Sequence, residues 1–321
     1  MTSPPDGACP LCGGLSRRRL VMRRGVGVVR CTACGLIYVW PQPTPAELAA
    51  LYSSGGYHAA VDEAERRRTF ARRLREIEAL VPERGRILDV GCSKGYFLEA
   101  ARDAGWEAMG VELNANAAAE AAARGLGVRR GDLAEQDFAE ASFDAVTLFD
   151  LIEHAREPRA TLAVCHRLLR PEGLLVVTTP DVGGLVPWVT YWLLGRTIGA
   201  WGHPTPPGHL VEFSRRTLRQ MLESSGFALL RERSEHIPVA YSAGKLENAV
   251  MDVLAGRHRG RRPEAGGARP EAGGARPRAS LIRGLPRLCV RALAWTVVGL
   301  AGAAARLTGR GDSRWVVAAR R

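Results

Sequence analysis

The sequence predicts an α/β protein built on a doubly wound, mainly parallel sheet with a small N-terminal appendage. Three observations predict it. From Arg86 onward, short apolar runs alternate with helical patterns, and such alternation implies βαβ units with right-handed crossovers. The stretch ILDVGCSKGYFLEAARDAG, residues 87–105, passes from a buried strand into an amphipathic helix through Gly91 and Gly95. Glycine weakens the interior of both elements, so its place at the handover implies a close approach to the backbone. Upstream of all this stand two CxxC pairs.

In chain order, Cys9-Pro-Leu-Cys12-Gly comes first and Cys31-Thr-Ala-Cys34-Gly follows, with eighteen residues between Cys12 and Cys31. Two such knuckles present four thiolates to one cation, which is the zinc-ribbon pattern; a segment of about forty residues has too little core to fold without such a staple. Cys9, Cys12, Cys31 and Cys34 are therefore the expected ligands of a structural Zn2+, with no His or carboxylate at ligand spacing for an open catalytic position. After Pro41, Pro43 and Pro45 a helical stretch runs over residues 46–80, and its arginine-rich middle, 65–75, reads as a solvated face in a segment bridging two domains. The alternating region then reads RILDVGC, GYFLEAARDAG, WEAMGVEL, NANAAAEAAARG, VRRGD, FDAVTLFDLIEH, EPRATLAVCHRLLRPEG and LLVVTTPD. Between two uncharged apolar stretches, 182–195 and 292–305, lies the repeat RPEAGGARPEAGGARPR, whose Gly, Pro and charge predict a disordered linker. The final GDSRWVVAARR has strand character. The expected divisions are a ribbon at 1–45, a helical linker at 46–84, the catalytic domain at 85–239, an insertion at 240–310 and a returning final strand at 311–321.

In doubly wound sheets the ligand sits beyond the carboxyl ends of the strands, at the switch point beside the first strand. There Asp89 ends a strand ahead of Gly91 and Gly95, and the glycine turn is expected to bring backbone N–H groups and a helix start against a ligand. Glu112, twenty-three residues after Asp89, ends the next strand where it can accept from a ribose diol, and Gly131-Asp132 ends the third near an adenine amino group. The turn reads D-V-G-C-S-K-G and lacks the closely spaced first glycine pair that a dinucleotide pyrophosphate needs.

The order D-x-G-x-x-x-G, then Glu112, then Gly131-Asp132, then FDLIEH resembles the class I S-adenosylmethionine-dependent methyltransferases. The resemblance spans residues 86–181, resumes at GHLVEFSRRTLRQMLESSGF (208–227), and extends to the bacterial branch in which C-x-x-C-G and C-x-x-C-G-L precede the domain. It implies a Rossmann-like fold with a seven-stranded sheet whose last strand runs antiparallel. It also implies that Asp89, Gly91, Cys92 and Gly95 form the cofactor turn, Glu112 holds the ribose, Leu113 flanks the adenine, Asp132 and Leu133 contact its edge, and Phe149 and Asp150 lie near the methionine part. Cys92 is given a packing role, and the side chain of Lys94 is expected to point outward. Methyl transfer is an in-line displacement whose main demand is positioning, with a base needed only if the acceptor loses a proton. Ile152-Glu153-His154 faces the acceptor side in the family, making His154 the best base with Glu153 beside it; the alternative is that both cap the following helix or fix the loop. His203, His209 and Glu212 form a second candidate cluster, and a structural role in their Pro-rich loop is the alternative there. The absence of an N/D-P-P-Y motif disfavours an amide or adenine amino group as acceptor.

Composition bounds the partners. The chain has 321 residues, 46% hydrophobic, with a formal charge of +12. Lys94 and Lys245 are its only lysines, so the charge follows an arginine-biased, Ala- and Gly-rich composition and is weak evidence for a polyanion. The expected acceptor is a hydroxyl or carbon of a small molecule, a saccharide or a lipid-linked metabolite. The competing reading is an RNA methyltransferase whose ribbon and arginines grip phosphates, and it is disfavoured because the ribbon lacks a dense basic and aromatic face. MTSPPDGACP carries no basic and apolar leader pattern, so a cytoplasmic location is expected. Each apolar stretch runs fourteen residues, short of the roughly twenty that span a bilayer. A lid or core role is expected for both, with peripheral contact at the inner face of the membrane through 281–309 as the sharper alternative.

Overall fold

The computed structural model describes residues 7–23, 26–44, 46–48, 51, 63–81, 83–256 and 287–321. The RPEAGGA repeats and much of the first half of the helix expected over 46–80 lie outside the described residues. In chain order the strands are β1 (Arg17–Arg23), β2 (Val26–Cys31), β3 (Ile37–Trp40), β4 (Arg86–Val90), β5 (Glu107–Glu112), β6 (Gly127–Arg130), β7 (Phe143–Phe149), β8 (Leu169–Pro180), β9 (Val211–Glu212), β10 (Phe227–Glu235) and β11 (Ser313–Arg320). The principal helices are α1 (Glu63–Glu78), α2 (Tyr96–Asp103), α3 (Ala115–Ala123), α4 (Pro158–Leu168), α5 (Leu185–Thr190), α6 (Arg215–Ser224), α7 (Val239–Leu254) and α8 (Arg287–Thr308). A π turn at Tyr191–Gly195 and a last turn at Arg196–Ile198 continue α5. Two compact units result, one of residues 1–42, 180–217 and 234–314, the other of 43–179, 218–233 and 315–321.

The second unit carries the sheet expected from the alternating region. Its strand order is β10-β11-β8-β7-β4-β5-β6. β4 pairs in parallel with β5 and β7, β5 with β6, and β7 with β8, and the sheet also contains one antiparallel strand. The chain runs outward from β4 through β5 to β6 and then resumes on the other side at β7, so the topological switch lies at the carboxyl end of β4. Ile87 and Leu88 are fully buried, as befits a central parallel strand covered on both faces. Helix α3 starts where Asn114 Oδ1 accepts from the Asn116 and Ala117 N–H groups at 2.9 and 3.0 Å.

Helix α1 falls inside the segment expected to be a linker, yet it belongs to this unit. Leu74 and Ile77 are buried in one cluster with Ile87, Phe97, Trp106, Val176, Trp315 and Val317. Its arginine-rich middle is correspondingly not all solvated: Arg73 is 8% exposed, with its guanidinium carbon 5.0 Å from the Phe149 ring centre. The arginine stem covers apolar surface while the charged end stacks on a ring, which composition alone does not reveal.

The first unit joins the cysteine segment to sequence far from it, so residues 1–45 are not a separate body. Its sheet is ordered β1-β2-β3-β9, with Ile37 opposite Glu212 across the β3–β9 pair. Trp201 packs with Val21, Val28 and Ile37, and Arg23 Nη1 donates to its carbonyl at 2.9 Å. Helices α5, α7 and α8 supply the rest of this unit's core through Val186, Ala243, Leu246, Ala294, Val298 and Ala301. Helix α8 runs 22 residues, longer than the fourteen-residue uncharged stretch within it, because arginines are accommodated in its end turns. It is long and apolar enough to cross a membrane, and a third of its most apolar window is buried against the protein.

Candidate cofactor site and cysteine cluster

The site at the switch point is built by the turn between β4 and α2. Gly91 and Gly95 hold φ of +76° and +80°. A Cβ at 91 would lie 2.7 Å from Leu151 Cδ1, and one at 95 would lie 2.5 Å from Leu126 Cδ1. The glycines are thus required by the backbone and by their protein neighbours, before any ligand is considered. Contrary to part of the expectation for this turn, four of its N–H groups are bonded within the protein, while the helix start at Tyr96 carries no side-chain cap. Gly91 N and Cys92 N donate to Val111 O at 2.8 and 3.1 Å, Ser93 N to Glu112 Oε2 at 2.8 Å, and Gly95 N to Cys92 O at 2.9 Å. Four of the turn's donors are spent inside the fold.

What the site offers instead is carboxylate. Asp89 is 3% exposed and accepts from Thr147 Oγ1 at 2.7 Å. Burial pushes its carboxyl up to about 7; the Thr147 bond opposes the rise, the neighbouring Glu112 adds to it and Arg73 opposes it. Glu112, 8% exposed, accepts the Ser93 N–H on Oε2 and the Asn114 N–H on Oε1 at 2.8 and 2.7 Å. Each of its oxygens keeps a lone pair, which suits a pair of neighbouring hydroxyls. Cys92 is buried with its Sγ toward Gly110, and burial raises its thiol far above the range of a nucleophile. Lys94 Nζ reaches Glu120 Oε2 at 3.1 Å and so turns toward α3.

The remaining predicted residues of this unit divide between surface and core. Leu113 is 49% exposed directly after Glu112. Asp132 Oδ1 caps a short 3-10 turn, Leu133–Glu135, by accepting from Ala134 N at 2.8 Å, and Leu133 is buried. Phe149 packs edge-on to Phe97, ring centres 4.9 Å apart, and against Phe70. Asp150 takes φ of +50° at the end of β7, where its N–H and Oδ1 both bond Thr178. Glu153 is 1% exposed and accepts from Thr179 Oγ1 at 2.9 Å, tying the 3-10 turn Ile152–His154 to β8, while His154 is half-buried. Sequence reasoning missed Thr147, Arg73 and Asn114, since a threonine in a strand, an arginine among arginines and a helix cap carry no signature of a site.

Comparison with known families matches residues 63–232 to a family described as "Methyltransferase domain". The chain belongs to the methyltransferase-domain family. Among its relatives, a protein of Mycolicibacterium smegmatis named "Probable S-adenosylmethionine-dependent methyltransferase" is 30% identical over 183 residues, covering 56% of this chain and 62% of that protein. A "Ubiquinone biosynthesis O-methyltransferase" of Thiobacillus denitrificans is 32% identical over 115 residues, covering 33% of this chain and 50% of that one. The chain thus spans about half to three fifths of the length of these relatives. A solved S-adenosylmethionine-dependent methyltransferase from Archaeoglobus fulgidus aligns with TM-score 0.48 at 17% identity, over 79% of this chain and 94% of that one.

The methyltransferase family's donor is S-adenosylmethionine, and the residues present fit it. Two buried carboxylates at the ends of adjacent strands offer acceptors to a ligand that carries hydroxyls, as this cofactor's ribose does.

In the other unit, the two CxxC knuckles bring Cys9, Cys12, Cys31 and Cys34 together. Their sulfurs all lie within 4.8 Å of one another, with Cys9 to Cys34 at 3.5 Å and Cys12 to Cys31 at 3.6 Å. Four thiolates at tetrahedral Zn–S distance would stand about 3.8 Å apart. Each knuckle closes identically: Gly13 N donates to Cys9 O at 2.9 Å and Gly35 N to Cys31 O at 3.0 Å, with both glycines at positive φ. Burial raises Cys9 and Cys34, so these thiols resist ionising without a cation among them. Arg216 donates to the Cys34 carbonyl.

The same unit holds the second predicted cluster. Glu212, 2% exposed on β9, lies with Oε1 3.5 Å from His209 Nδ1. Burial pushes Glu212 up to about 7 and His203 down to about 4. Burial thus favours the uncharged form of both side chains.

Proposed function

We propose that this chain is an S-adenosylmethionine-dependent methyltransferase acting on a hydroxyl or carbon of a small molecule, a saccharide or a lipid-linked metabolite. The single observation that carries the reading is the pair of buried carboxylates, Asp89 and Glu112, at the ends of adjacent parallel strands beside the switch-point turn. Bound there, the cofactor supplies an electrophilic methyl group on a sulfonium. Glu112 accepts the ribose hydroxyls, Leu113 covers one side of the adenine, and Asp132 and Leu133 face its edge. Asp89 offers its carboxylate to the ligand's polar groups, while Gly91, Cys92 and Gly95 keep the turn thin. Phe149 and Asp150 border the methionine part. His154 is the candidate base that takes a proton from an acceptor hydroxyl, with Glu153 fixing the turn that carries it through its bond to Thr179. The relatives named for an O-methyltransferase favour oxygen as the target. Cys9, Cys12, Cys31 and Cys34 hold a structural Zn2+.

Calorimetry tests the reading. S-adenosylmethionine should bind, and Glu112→Ala should weaken it by about 1.5–3 kcal/mol through loss of a charged acceptor. Tight binding of a nicotinamide dinucleotide with no detectable S-adenosylmethionine binding would refute it.

A further inference from the structure

We propose that the helical layer formed by α5, α7 and α8 docks on an anionic membrane surface through exposed tryptophans and leucines of α5 and α8. Helix α8 buries Val290, Ala294, Val298, Ala301 and Ala305, residues three or four apart, as one stripe, and it packs against both α7 and α5. Its outward side should therefore be polar if it faced only water. It is not: from Ala292 to Ala305 it carries no charged residue, and Leu293, Trp295 and Leu300 stand 45%, 42% and 70% exposed. Helix α5 and its continuation are similar, with Trp188 and Trp192 about half exposed and their rings 6.1 Å apart. Tryptophan favours the membrane–water interface because its ring is apolar and its N–H polar.

Charge complementarity names the occupant. Arg287 and Arg291 bracket the uncharged arc of α8 on one side and Arg306 on the other, while Arg196 stacks 4.2 Å over the Trp192 ring. Across α5 with its continuation, α7 and α8 there are five basic side chains, Arg196, Lys245, Arg287, Arg291 and Arg306, against two acidic ones, Glu247 and Asp252. Both acids are ion-paired, Glu247 with Arg287 at 2.9 Å and Asp252 with Arg23 at 3.9 Å. An apolar, tryptophan-bearing face rimmed by arginine and poor in free acid suits anionic lipid headgroups over a slab of acyl chain. Helix α8 lies on the surface in this arrangement, because its inward stripe is occupied by α7 and α5.

The test uses the full chain with vesicles of phosphatidylcholine alone and of phosphatidylcholine mixed with phosphatidylglycerol. Binding is read by co-sedimentation and by a blue shift of tryptophan emission. The anionic vesicles should bind at least about tenfold better than the neutral ones, and salt should release the protein. Trp192→Ser combined with Trp295→Ser should reduce binding about tenfold or more. Arg291→Glu combined with Arg306→Glu should reduce it at least about twentyfold, each arginine near an anionic surface being worth roughly fivefold. Thermal denaturation and S-adenosylmethionine calorimetry on the same variants should match the wild type, which separates a failed docking face from a failed fold or a failed cofactor site. Absent wild-type binding, binding that salt does not release, or variants that bind as the wild type would each overturn the proposal. So would a concentration-dependent dimer that persists with vesicles and is lost in the tryptophan variant, since the face would then belong to a second copy.

Discussion

Glu112→Gln should separate the bracing of the turn by this carboxylate from the ribose-holding role proposed for it. Glu112 is 8% exposed, and its oxygens accept the Ser93 and Asn114 N–H groups at 2.8 and 2.7 Å. A glutamine of the same shape keeps one acceptor oxygen and replaces the other with an amide NH2. In either orientation of that amide, one backbone N–H faces another donor, so one charge-assisted hydrogen bond is lost and a buried N–H is left unsatisfied. Either loss costs on the order of 1.5–3 kcal/mol. Taking about 2 kcal/mol, the melting temperature of the ligand-free protein should fall by about 4–8 °C. The ligand also loses one of two acceptors for its diol, so S-adenosylmethionine should bind on the order of ten- to a hundredfold more weakly at a temperature where the variant is fully folded. Differential scanning calorimetry reads the first effect and titration calorimetry the second. An unchanged melting temperature would refute the bracing role assigned to the carboxylate. A lowered one with unchanged affinity would refute the ribose role and leave Glu112 purely structural.

Asp89, held up near 7 by burial, should make cofactor affinity fall about tenfold per pH unit below that value, because a cationic ligand requires the ionised form; titration from about pH 8 to about pH 5.5 checks this, and Asp89→Asn should flatten the profile. In the ligand-free protein the sign is opposite: the folded state holds a proton that the unfolded state has released, so this group's stabilising contribution is lost as pH rises from its ordinary 3.8 through about 7. Elemental analysis should find one zinc per chain, and Cys31→Ser should release it and loosen the first unit while S-adenosylmethionine binding persists. Gly91→Ala should destabilise by about 1–3 kcal/mol, since it adds a contact with Leu151 to the strain of a positive φ, whereas Gly125→Ala, with φ of +72° and nothing within 4 Å of its Cβ, should show the backbone strain alone. Equal losses at the two positions in thermal denaturation would remove the packing argument.

The alternating core of the second unit was legible because central parallel strands such as β4 are buried on both faces and read as unbroken apolar runs. Asp89 and Glu112 were legible for the complementary reason: each is a charge where such a run ends. The cysteine knuckles were equally plain, since two CxxC-Gly repeats stand out in any sequence whatever packs around them. The partition into units was not legible. It depends on a two-residue strand, β9, pairing with β3 across more than 170 positions, and on Trp201 packing beside Val28 and Ile37. Pairing so short and so distant leaves no local periodicity to read. The buried face of helix α1 is hard to read for a related reason, because Leu74 and Ile77 are outnumbered by arginines and one of these, Arg73, is itself buried with them.

On the proposed reading, the glycine turn favours S-adenosylmethionine over a dinucleotide for a reason beyond glycine spacing. A phosphate-binding turn works by leaving backbone donors unpaired at a helix start, so an anion completes them. Here Gly91, Cys92, Ser93 and Gly95 have given their N–H groups to Val111, Glu112 and Cys92, and the acceptors that remain belong to carboxylates. A pyrophosphate brought to this turn would meet spent donors and two buried acids, one already pushed toward protonation by its surroundings. A cation carrying hydroxyls should meet the reverse, favouring the charged form of Asp89 and supplying donors to Glu112. On the proposed reading, selection against dinucleotides rests on the two buried carboxylates as well as on the missing first glycine. Restoring a G-x-G-x-x-G spacing by mutation should accordingly fail to create dinucleotide binding while Asp89 and Glu112 remain. Tight dinucleotide binding by such a variant would show that glycine spacing alone sets the choice.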